Sequence, residues 1–307
     1  MSFAVAFAIL FFLFTRVDLN LTGIVETMRS VDPLKFLLAL LIYYIGFPIR
    51  GARWRLLLQN VGYDVAKGMK MPSLAGLSEI IFLAWFANCI VPAKLGDMYR
   101  AYLLKKNANV SFSKTFGTIL AERILDMIVL VGLMVMSALA LARGKNAVTA
   151  LPVVEIGLAF VVLIVIGLTI MFRFGTHIEK RLPERIQSIY GRFQSGTLGS
   201  FKQLPLIALL TILVWLTEAG RLYLVTMALG LDMGLAIIIF VALANSLLTT
   251  LPFTPGGLGL VEAGVSTLLM MELSQDVAVS VAIMDRTISY GSLVLFGFVV
   301  YLFSRKK

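Results

Sequence analysis

Long runs of apolar residues, separated by short polar segments, dominate the pattern of this chain. The runs are Ser2–Phe14, Leu34–Ile49, Pro72–Val91, Thr115–Leu141, Pro152–Phe172, Leu204–Leu229, Leu235–Leu251, Leu258–Leu273 and Val277–Phe303. Since about 20 apolar residues in helical form cross a bilayer, the pattern predicts a polytopic all-α membrane protein. The run Ser2–Phe14 is shorter and lacks a basic segment before it, so we interpret it as a short or tilted first span rather than a signal peptide.

Two of the runs are interrupted by proline and glycine, in the strings NCIVPAKLGD and NSLLTTLPFTPGGLGLVEAG. Proline removes a helical hydrogen bond and glycine loosens the backbone, so the helix breaks at these points. Non-helical backbone at membrane depth is tolerated only where it is buried in protein or lines water. We therefore predict two re-entrant broken-helix hairpins whose hinge or turn residues are Asn88, Pro92, Gly96, Asn245, Pro255, Gly256, Gly257 and Gly259. The two asparagines are predicted to bond freed backbone groups.

The interruptions belong to an internal repeat. The matched pairs are Pro92 and Pro255, Gly96 and Gly259, Glu122 and Asp285, Arg123 and Arg286, and, after one short insertion or deletion, Arg53 and Arg221. The first four pairs agree at one constant offset without a gap, which predicts a duplication. If the two halves are inverted, most of the 27 Lys and Arg residues fall on one side of the membrane. This agrees with the rule that cytoplasmic loops are rich in basic residues. The prediction is an inverted repeat with about six full transmembrane helices, two re-entrant hairpins and both termini on the cytoplasmic side of the cell membrane.

The chain is predicted to be a single integral membrane domain, 1–307, in four parts. Residues 1–32 form the first span and an external connector, 33–142 repeat one, 143–203 a linking span with a cytoplasmic amphipathic segment, and 204–307 repeat two. Basic and apolar positions alternate from Arg173 to Lys202, which indicates a helix at the inner membrane surface. A solvated connector is the alternative.

Composition restricts the function. Hydrophobic residues make up 59% of the 307 positions and charged residues 14%, which excludes a soluble domain. The net charge of +10 is explained by cytoplasmic loops and does not indicate a nucleic-acid partner. Cys89 and His177 are each the only residue of their type, and GxGxxG and P-loop patterns are absent. We therefore expect no metal, no cofactor and no nucleotide-dependent enzyme.

Charged residues within the apolar helices are the candidate site. Glu122, Arg123 and Asp126 lie about 15 to 20 Å along a helix that begins near Ser111, at about 1.5 Å per residue. Charges at that depth are expensive and are functional candidates, with a structural ion pair as the alternative. The predicted lipid-binding residues are Arg53, Glu122, Arg123, Asp126, Glu218, Arg221, Glu262, Asp285 and Arg286. Snorkelling to the membrane interface is the alternative for Arg53.

Four strings, ARWRLLLQNVG, NCIVPAKLGDMYRAYLL, LAERILDMIVL and LPFTPGGLGLVEAG, together resemble the flippase-like family typified by the transmembrane region of lysylphosphatidylglycerol synthase. The resemblance covers nearly the whole chain and implies a lipid flippase-like fold. It adds Arg100 to the candidate lipid-binding residues. Asp97 stands where the family more usually has glutamate. No soluble aminoacyl-transferase domain follows Lys307, so synthase activity is not expected.

Three functions fit these patterns. The first is a transporter that passes a lipid headgroup between mirrored cavities, with Arg123 and Arg286 meeting the headgroup. The second is a membrane-embedded transferase acting on a lipid phosphate, and the third a non-catalytic partner of a lipid-modifying enzyme. The expected partners are membrane lipids of anionic, aminoacylated or polyprenyl-phosphate type.

Overall fold

The computed structural model describes residues 21–65, 68–91, 95–141, 147–250 and 254–307, and within these ranges the chain contains helices and connecting turns but no strand. The helices are α1 Leu21–Arg29, α2 Pro33–Asn60, α3 Leu74–Ile90, α4 Gly96–Ala108, α5 Phe112–Leu141, α6 Ala147–Arg181, α7 Glu184–Gly199, α8 Leu204–Ala228, α9 Leu235–Thr250, α10 Leu260–Leu269, α11 Gln275–Arg286 and α12 Leu293–Phe303. The predicted all-α class is confirmed for this part of the chain.

Several helices suit a membrane. Among the described residues, five helical segments are long and apolar enough to cross one: Pro33–Asn60, Phe112–Leu141, Val154–Arg181, Leu204–Ala228 and Gln275–Phe303. Helices α3 and α9 are apolar but shorter. The predicted first span, Ser2–Phe14, lies outside the described residues. The protein is therefore polytopic, and α3 and α9 coincide with the two interrupted runs of the sequence.

Helices α2 and α8 form an antiparallel central pair. At one end the Asp32 amide donates to the Ala228 carbonyl over 2.8 Å, and at the other the Asn60 amide nitrogen donates to the Ser200 carbonyl over 2.8 Å. A Cβ on Gly220 would lie 2.8 Å from Ile42, so the backbone of α8 approaches α2 closely between these ends. Small residues permit such close helix packing in membranes. The central pair positions most of the charged residues described below.

Helices α3 and α4 pack side by side at the first interruption. Gly96, at the start of α4, contacts Ala84 of α3 so closely that a side chain there would overlap the Ala84 carbonyl. At the other end of the pair, Lys306 lies beside Gly76 of α3 and its carbonyl accepts a bond of 3.0 Å from Asn107 of α4. The outer ends of α3 and α4 therefore lie together at the end of the bundle that holds the chain's last residues.

Helices α9 and α10 flank the second interruption. Gly264 of α10 packs on Leu248 of α9, and the turn between the helices is a short 3-10 segment, Pro255–Gly257. This turn meets the end of α3, because the hydroxyl of Tyr290 donates to the Cys89 carbonyl over 3.2 Å and a Cβ on Gly256 would lie 3.5 Å from Cys89. The two interruptions are thus neighbours in space.

The linking segment differs in part from the prediction. Helix α6 continues through Arg173 to Arg181, beyond the predicted end of the apolar run, and the break comes only at Pro183, which cannot continue a helix. Helix α7 then packs on α5, where Gly117 contacts the Phe193 backbone and the Phe116 and Phe193 rings stack at 6.0 Å. The segment is therefore helical as predicted, but one face of α7 contacts protein.

Helices α11 and α12 are joined without a turn by a π-helical segment, Thr287–Ser292. It begins directly after Arg286, and Tyr290 within it contacts the second interruption. π-Helical turns are rare and occur frequently at functional sites. The middle of this span is therefore a candidate functional position.

Candidate functional site

Five of the predicted residues come together in the first half of the chain. Glu122 and Asp126 of α5 form ion pairs with Arg53 of α2, at 3.0 and 2.5 Å, and Glu122 also accepts two bonds, of 3.0 and 2.8 Å, from Arg100 of α4. Arg123 bonds Asp126 at 3.3 Å. Because positions 122, 123 and 126 lie on one side of α5, a single helix turn supplies both acids and a base.

Arg53 and Arg100 are held in place by uncharged groups as well as by carboxylates. Arg53 also donates to the Thr211 hydroxyl over 3.1 Å, and the Arg100 guanidinium lies 3.8 Å from the centre of the Trp54 ring. The Trp54 indole in turn donates to Thr118. Since both arginine side chains are only 1% exposed, their charges depend on these contacts for stability.

Arg123 differs from its neighbours in its exposure. Its side chain is 37% exposed, against 1% for Arg53, and it donates two bonds of 3.2 Å to Asp97 at the start of α4. Asp97 is itself 21% exposed. The Arg123 and Asp97 pair is therefore the more exposed part of the first cluster.

A second cluster is built on α8. Glu218 pairs with Arg50 of α2 at 2.5 Å and with Arg221, and Arg221 donates bonds of 2.7 and 3.1 Å to Asp285 of α11. The Asn245 amide of α9 donates to Asp285 over 3.1 Å. The predicted backbone-bonding role does not hold for the Asn245 amide group, because α9 continues as a helix past this residue to Thr250 and leaves no freed backbone group beside it.

A separate pair ties the second interruption to α11. Arg286 donates to Glu262 over 2.8 Å and to the Gly256 carbonyl over 2.8 Å, while the other oxygen of Glu262 accepts from the Gly259 amide at 2.7 Å. Gly256 and Gly259 both have positive φ, of 57° and 81°, which favours glycine. One arginine and one glutamate therefore hold the non-helical backbone of the turn.

The remaining predicted turn residues surround the two interruptions. The Asn88 side chain accepts a bond of 2.8 Å from the Gly96 amide, so it bonds freed backbone as expected. Pro255 and Gly257 are buried in the 3-10 segment. Pro92 lies outside the described residues. The turn residues thus fix local backbone, whereas the charged residues connect helices.

Each cluster is electrically balanced. The first contains Arg53, Arg100 and Arg123 with Asp97, Glu122 and Asp126, and the second region contains Arg50, Arg221 and Arg286 with Glu218, Glu262 and Asp285. In the described residues no group of three or more His, Cys, Asp or Glu is arranged to hold a metal ion. The arrangement can exchange one anionic partner for another, because an arginine that leaves a carboxylate can bind a phosphate with the same two nitrogens.

Sequence reasoning did not select two members of these clusters, Arg50 and Asp97. Arg50 precedes Arg53 by one turn and so lies on the same side of α2, which was an available signal. Asp97 follows Gly96 at the interruption, and only its contact with Arg123, 26 residues away, identifies it. Arg50 is also notable because Nη1 has no hydrogen-bond partner among the described residues and its guanidinium lies 4.6 Å from the Trp85 ring centre.

Comparison with known proteins agrees with this architecture. The family described as lysylphosphatidylglycerol synthase TM region matches residues 1–297. A UPF0104 membrane protein of Methanocaldococcus jannaschii is 33% identical over 218 residues, covering 70% of this chain and 93% of the relative.

More distant relatives cover more of the chain. A UPF0104 membrane protein of Methanothermobacter thermautotrophicus is 26% identical over 297 residues, covering 89% and 86% of the two chains. Glycosyltransferase AglD of Haloferax volcanii is 22% identical over 315 residues, which cover 89% of this chain and 49% of that protein. The family match over nearly all of the helical bundle assigns this chain to the family of the lysylphosphatidylglycerol synthase TM region.

Proposed function

We propose that this protein is a flippase-like transporter that moves a polar-headed, phosphate-containing lipid between the two leaflets of the cell membrane. The observation that carries the proposal is the set of buried charged clusters together with two arginines, Arg123 and Arg286, that each pair with a carboxylate beside an interrupted helix. Interrupted helices that meet polar side chains inside the membrane are a common design for transport sites. Ionisable groups in that position usually serve a pathway for a polar substrate.

An inverted repeat is part of the proposal, and two sets of contacts support it. Arg53 pairs with Glu122, and the residues that match them in the second half, Arg221 and Asp285, also pair. Arg50 and Glu218, which match each other across the repeat, are in direct contact at 2.5 Å. Two matched positions contact each other only near a two-fold axis, so the axis is proposed to pass between α2 and α8.

The orientation is also a proposal. The α3 and α4 pair has its outer ends beside Lys306, whereas α9 begins shortly after Ala228, which lies at the opposite end of the central pair beside Asp32. This placement supports the proposal of re-entrant hairpins that open to opposite sides. The basic residues near Lys306 favour the cytoplasmic side for that end under the positive-inside rule, and we propose that both chain termini lie on that side.

The exposed pair in the first cluster suggests how a headgroup enters. A lipid phosphate reaching Arg123 replaces Asp97 as its partner, while the acyl chains remain in the bilayer. Arg286 offers the equivalent contact to the opposite leaflet when Glu262 is released. Each arginine therefore has an anionic partner both before and after the lipid binds, whereas the displaced carboxylate, Asp97 or Glu262, loses its arginine partner while the lipid is bound.

Leaflet exchange of labelled lipids in liposomes tests the proposal. The intact protein is expected to accelerate exchange of phosphate-bearing lipids, and Arg123→Ala and Arg286→Ala are each expected to reduce it at least tenfold, since each removes a charge-assisted contact of about 1.5 to 3 kcal/mol. Arg192→Ala is the matched control, because Arg192 is exposed on α7, away from both clusters, and within the part of the chain that the structure describes it donates its hydrogen bonds to Ser188. Exchange no faster than in empty liposomes would reject the transporter and favour the partner-subunit hypothesis.

A second candidate is a membrane-embedded step in lipid-linked glycosyl transfer. Its support is the relative from Haloferax volcanii, a glycosyltransferase of which the alignment covers 49%. Under this hypothesis the carboxylates would act as bases on a lipid phosphate. The purified protein would then change the mass of a bound polyprenyl phosphate when supplied with a nucleotide sugar, whereas a transporter leaves the mass unchanged.

A further inference from the structure

Arg50 makes fewer bonds than the other buried arginines of the two clusters. Its Nη2 donates one bond, of 2.5 Å, to Glu218, and its Nη1 has no hydrogen-bond partner among the described residues. Arg53, Arg100 and Arg221 each donate at least two bonds to carboxylates. Since the Arg50 side chain is only 4% exposed, its Nη1 calls for an acceptor that the described chain does not supply.

The Nη1 of Arg50 lies in a slot between three helices. A side chain on Gly46 of α2 would overlap this nitrogen, and its Cβ would lie 3.0 Å from the Thr217 hydroxyl oxygen of α8. The guanidinium also lies 4.6 Å from the centre of the Trp85 ring of α3. In the second half, Val214 stands at the position that matches Gly46, so the repeat keeps a glycine on the side of the arginine.

Glu218 does not depend on Arg50 alone. Its Oε1 accepts from Arg50, while its Oε2 accepts from Arg221, which also donates two bonds to Asp285. An anion that bonds Nη1 of Arg50 therefore breaks none of these contacts. Because the guanidinium fork presents its nitrogens to separate acceptors, Arg50 can hold Glu218 and a phosphate oxygen at the same time.

Arg50 also lies near the middle of the proposed path. Arg123 and Arg286 match each other across the repeat, and every point on a two-fold axis is equally far from two matched positions. The proposed axis passes between Arg50 and Glu218, since these matched residues are in direct contact. A headgroup that moves from Arg123 to Arg286 therefore has Arg50 near the midpoint of its movement.

We propose that Arg50 binds the lipid phosphate through Nη1 midway between Arg123 and Arg286. This inference rests on the proposed transport function and assigns a third phosphate-binding residue to it. Trp85 covers Arg50 in this structure and lies one helix turn before Cys89, which contacts the second interruption. When the two interruptions separate, α3 moves with Cys89, and Trp85 uncovers the nitrogen.

Leaflet exchange in liposomes tests this residue, with labelled phosphatidylglycerol at several mole fractions. The double variant Arg50→Met with Glu218→Met removes both charges of the pair, and Arg221 keeps Asp285 as its partner. We expect this variant to unfold in denaturant at the same midpoint as the intact protein, while its maximal exchange rate falls by about tenfold or more. The mole fraction that gives half-maximal exchange, which reflects entry at Arg123, should change by less than about twofold.

Arg50→Lys keeps the charge and the contact with Glu218 but has a single nitrogen, so it should also lower the maximal rate. Arg55→Met is the matched control, because Arg55 is exposed on the same helix, and its rate should equal that of the intact protein.

A folded double variant that exchanges lipid as fast as the intact protein would show that the pair is structural and would overturn the proposal. An unchanged maximal rate in Arg50→Lys would overturn it too, and this variant serves as the test if the double variant does not fold. If the intact protein itself accelerates no exchange, the transport function fails and the role of Arg50 fails with it. The two preceding results reject the role of Arg50 alone.

Discussion

Glu122 holds two arginines of different helices. Its side chain is 2% exposed and contacts Arg53 and Arg100, so its negative charge compensates two buried positive charges in part. Replacing both members of a buried ion pair by apolar residues often changes the free energy of unfolding little. Removing one member lowers it strongly, because the other charge is left uncompensated. The residue is therefore expected to be central to the stability of the first cluster.

We expect Glu122→Gln to lower the free energy of unfolding by about 3 to 5 kcal/mol, because Arg100 loses its carboxylate partner. The double variant Glu122→Gln with Arg100→Met should be more stable than the sum of the single effects predicts. Unfolding by denaturant in detergent micelles measures both. Glu155→Gln, at an exposed position of α6, is the control, and equal losses in the two glutamate variants would contradict the expectation.

At this scale the sequence predicts which residues are charged inside the membrane but not which atoms they contact. The depth of Glu122 and Asp126 follows from counting helix turns. Their partner Arg53 lies 73 residues before Asp126, and its choice of partner depends on how α2 packs on α5. Asp97 was missed because a carboxylate beside a predicted turn has an obvious local role at a helix start.

Glycine determines how closely the elements approach. A Cβ on Gly96 would overlap both the Ala84 carbonyl and the Asn88 side chain, and the Gly96 amide donates to that same side chain. By contrast, Gly132 of α5 has nothing within 4 Å of its Cβ position. The two glycines therefore provide a matched pair within one protein.

We expect Gly96→Ala to lower the free energy of unfolding by about 1 to 3 kcal/mol, because α3 and α4 must separate to admit the methyl group. Gly132→Ala should change it by less than about 1 kcal/mol, in the stabilising direction, since alanine favours helix. Parallel denaturant titrations distinguish them. A loss in Gly132→Ala as large as that in Gly96→Ala would show that close packing at the first interruption is not the cause.

Asp32 caps the start of α2 and gives a pH dependence. Hydrogen bonds to its carboxylate, foremost from the Lys35 amide, lower the pKa of Asp32 below its ordinary value of 3.8. A lowered pKa in the folded state adds stability that is complete above pH 3.8 and is lost as the pH falls through the folded value. The effect is therefore confined to acidic solution.

Melting temperatures of the intact protein and Asp32→Asn, measured between neutral pH and pH 3, test this cap. Asparagine also caps helices but does not titrate, so the two curves should converge as the pH falls. Asp32→Ala should be less stable than both at neutral pH. A constant difference between intact protein and Asp32→Asn at every pH would contradict the assignment.

Element boundaries were predictable where a cap or a proline marks them. The apolar run Leu204–Leu229 corresponds to helix α8, Leu204–Ala228, and the helix predicted to begin near Ser111 is α5, which begins at Phe112. Helix α6 passes its predicted end because Arg173 and Lys180 do not break a helix, although they end an apolar run. Hydropathy therefore locates membrane residues better than it locates helix ends.

For the whole molecule, the proposed transport requires the contact between the two interruptions to change. Cys89 is the single cysteine of the chain, and in this structure it is buried beside Gly256. A maleimide reaches it only when the two turns separate. The natural cysteine therefore reports the movement without any engineered substitution at the site.

We expect a transported lipid to increase the rate of Cys89 labelling in liposomes, because turnover populates states in which the turns are apart. A Ser195→Cys variant labels both positions, and the rate at this exposed α7 position, outside the helices long enough to span a membrane, should stay constant. Mass spectrometry of the labelled peptides gives both rates. Unchanged Cys89 labelling during measured leaflet exchange would mean that the two turns stay together during transport.

At the scale of the molecule, the repeat and the charge bias of the loops were predicted from residue order alone, and the inverted repeat stays a prediction. The antiparallel contact of α2 with α8 was not, since apolar helices offer many alternative pairings of similar energy. Close approach at Gly220 and the pairing of Arg50 with Glu218 select one of them.

The π-helical segment after Arg286 sets the angular phase of the last span. Each residue of an α-helix advances the chain by about 100°, so the irregular turn at Thr287–Ser292 fixes how the Arg286 face is rotated relative to the Phe296 face. Arg286 holds the second turn, and Phe296 lines a groove on the outside of the bundle. Converting the segment to a regular helix would rotate one of these faces away from its partners, so the π-helical turn keeps the interior contacts of Arg286 and the outer position of Phe296 together on one span.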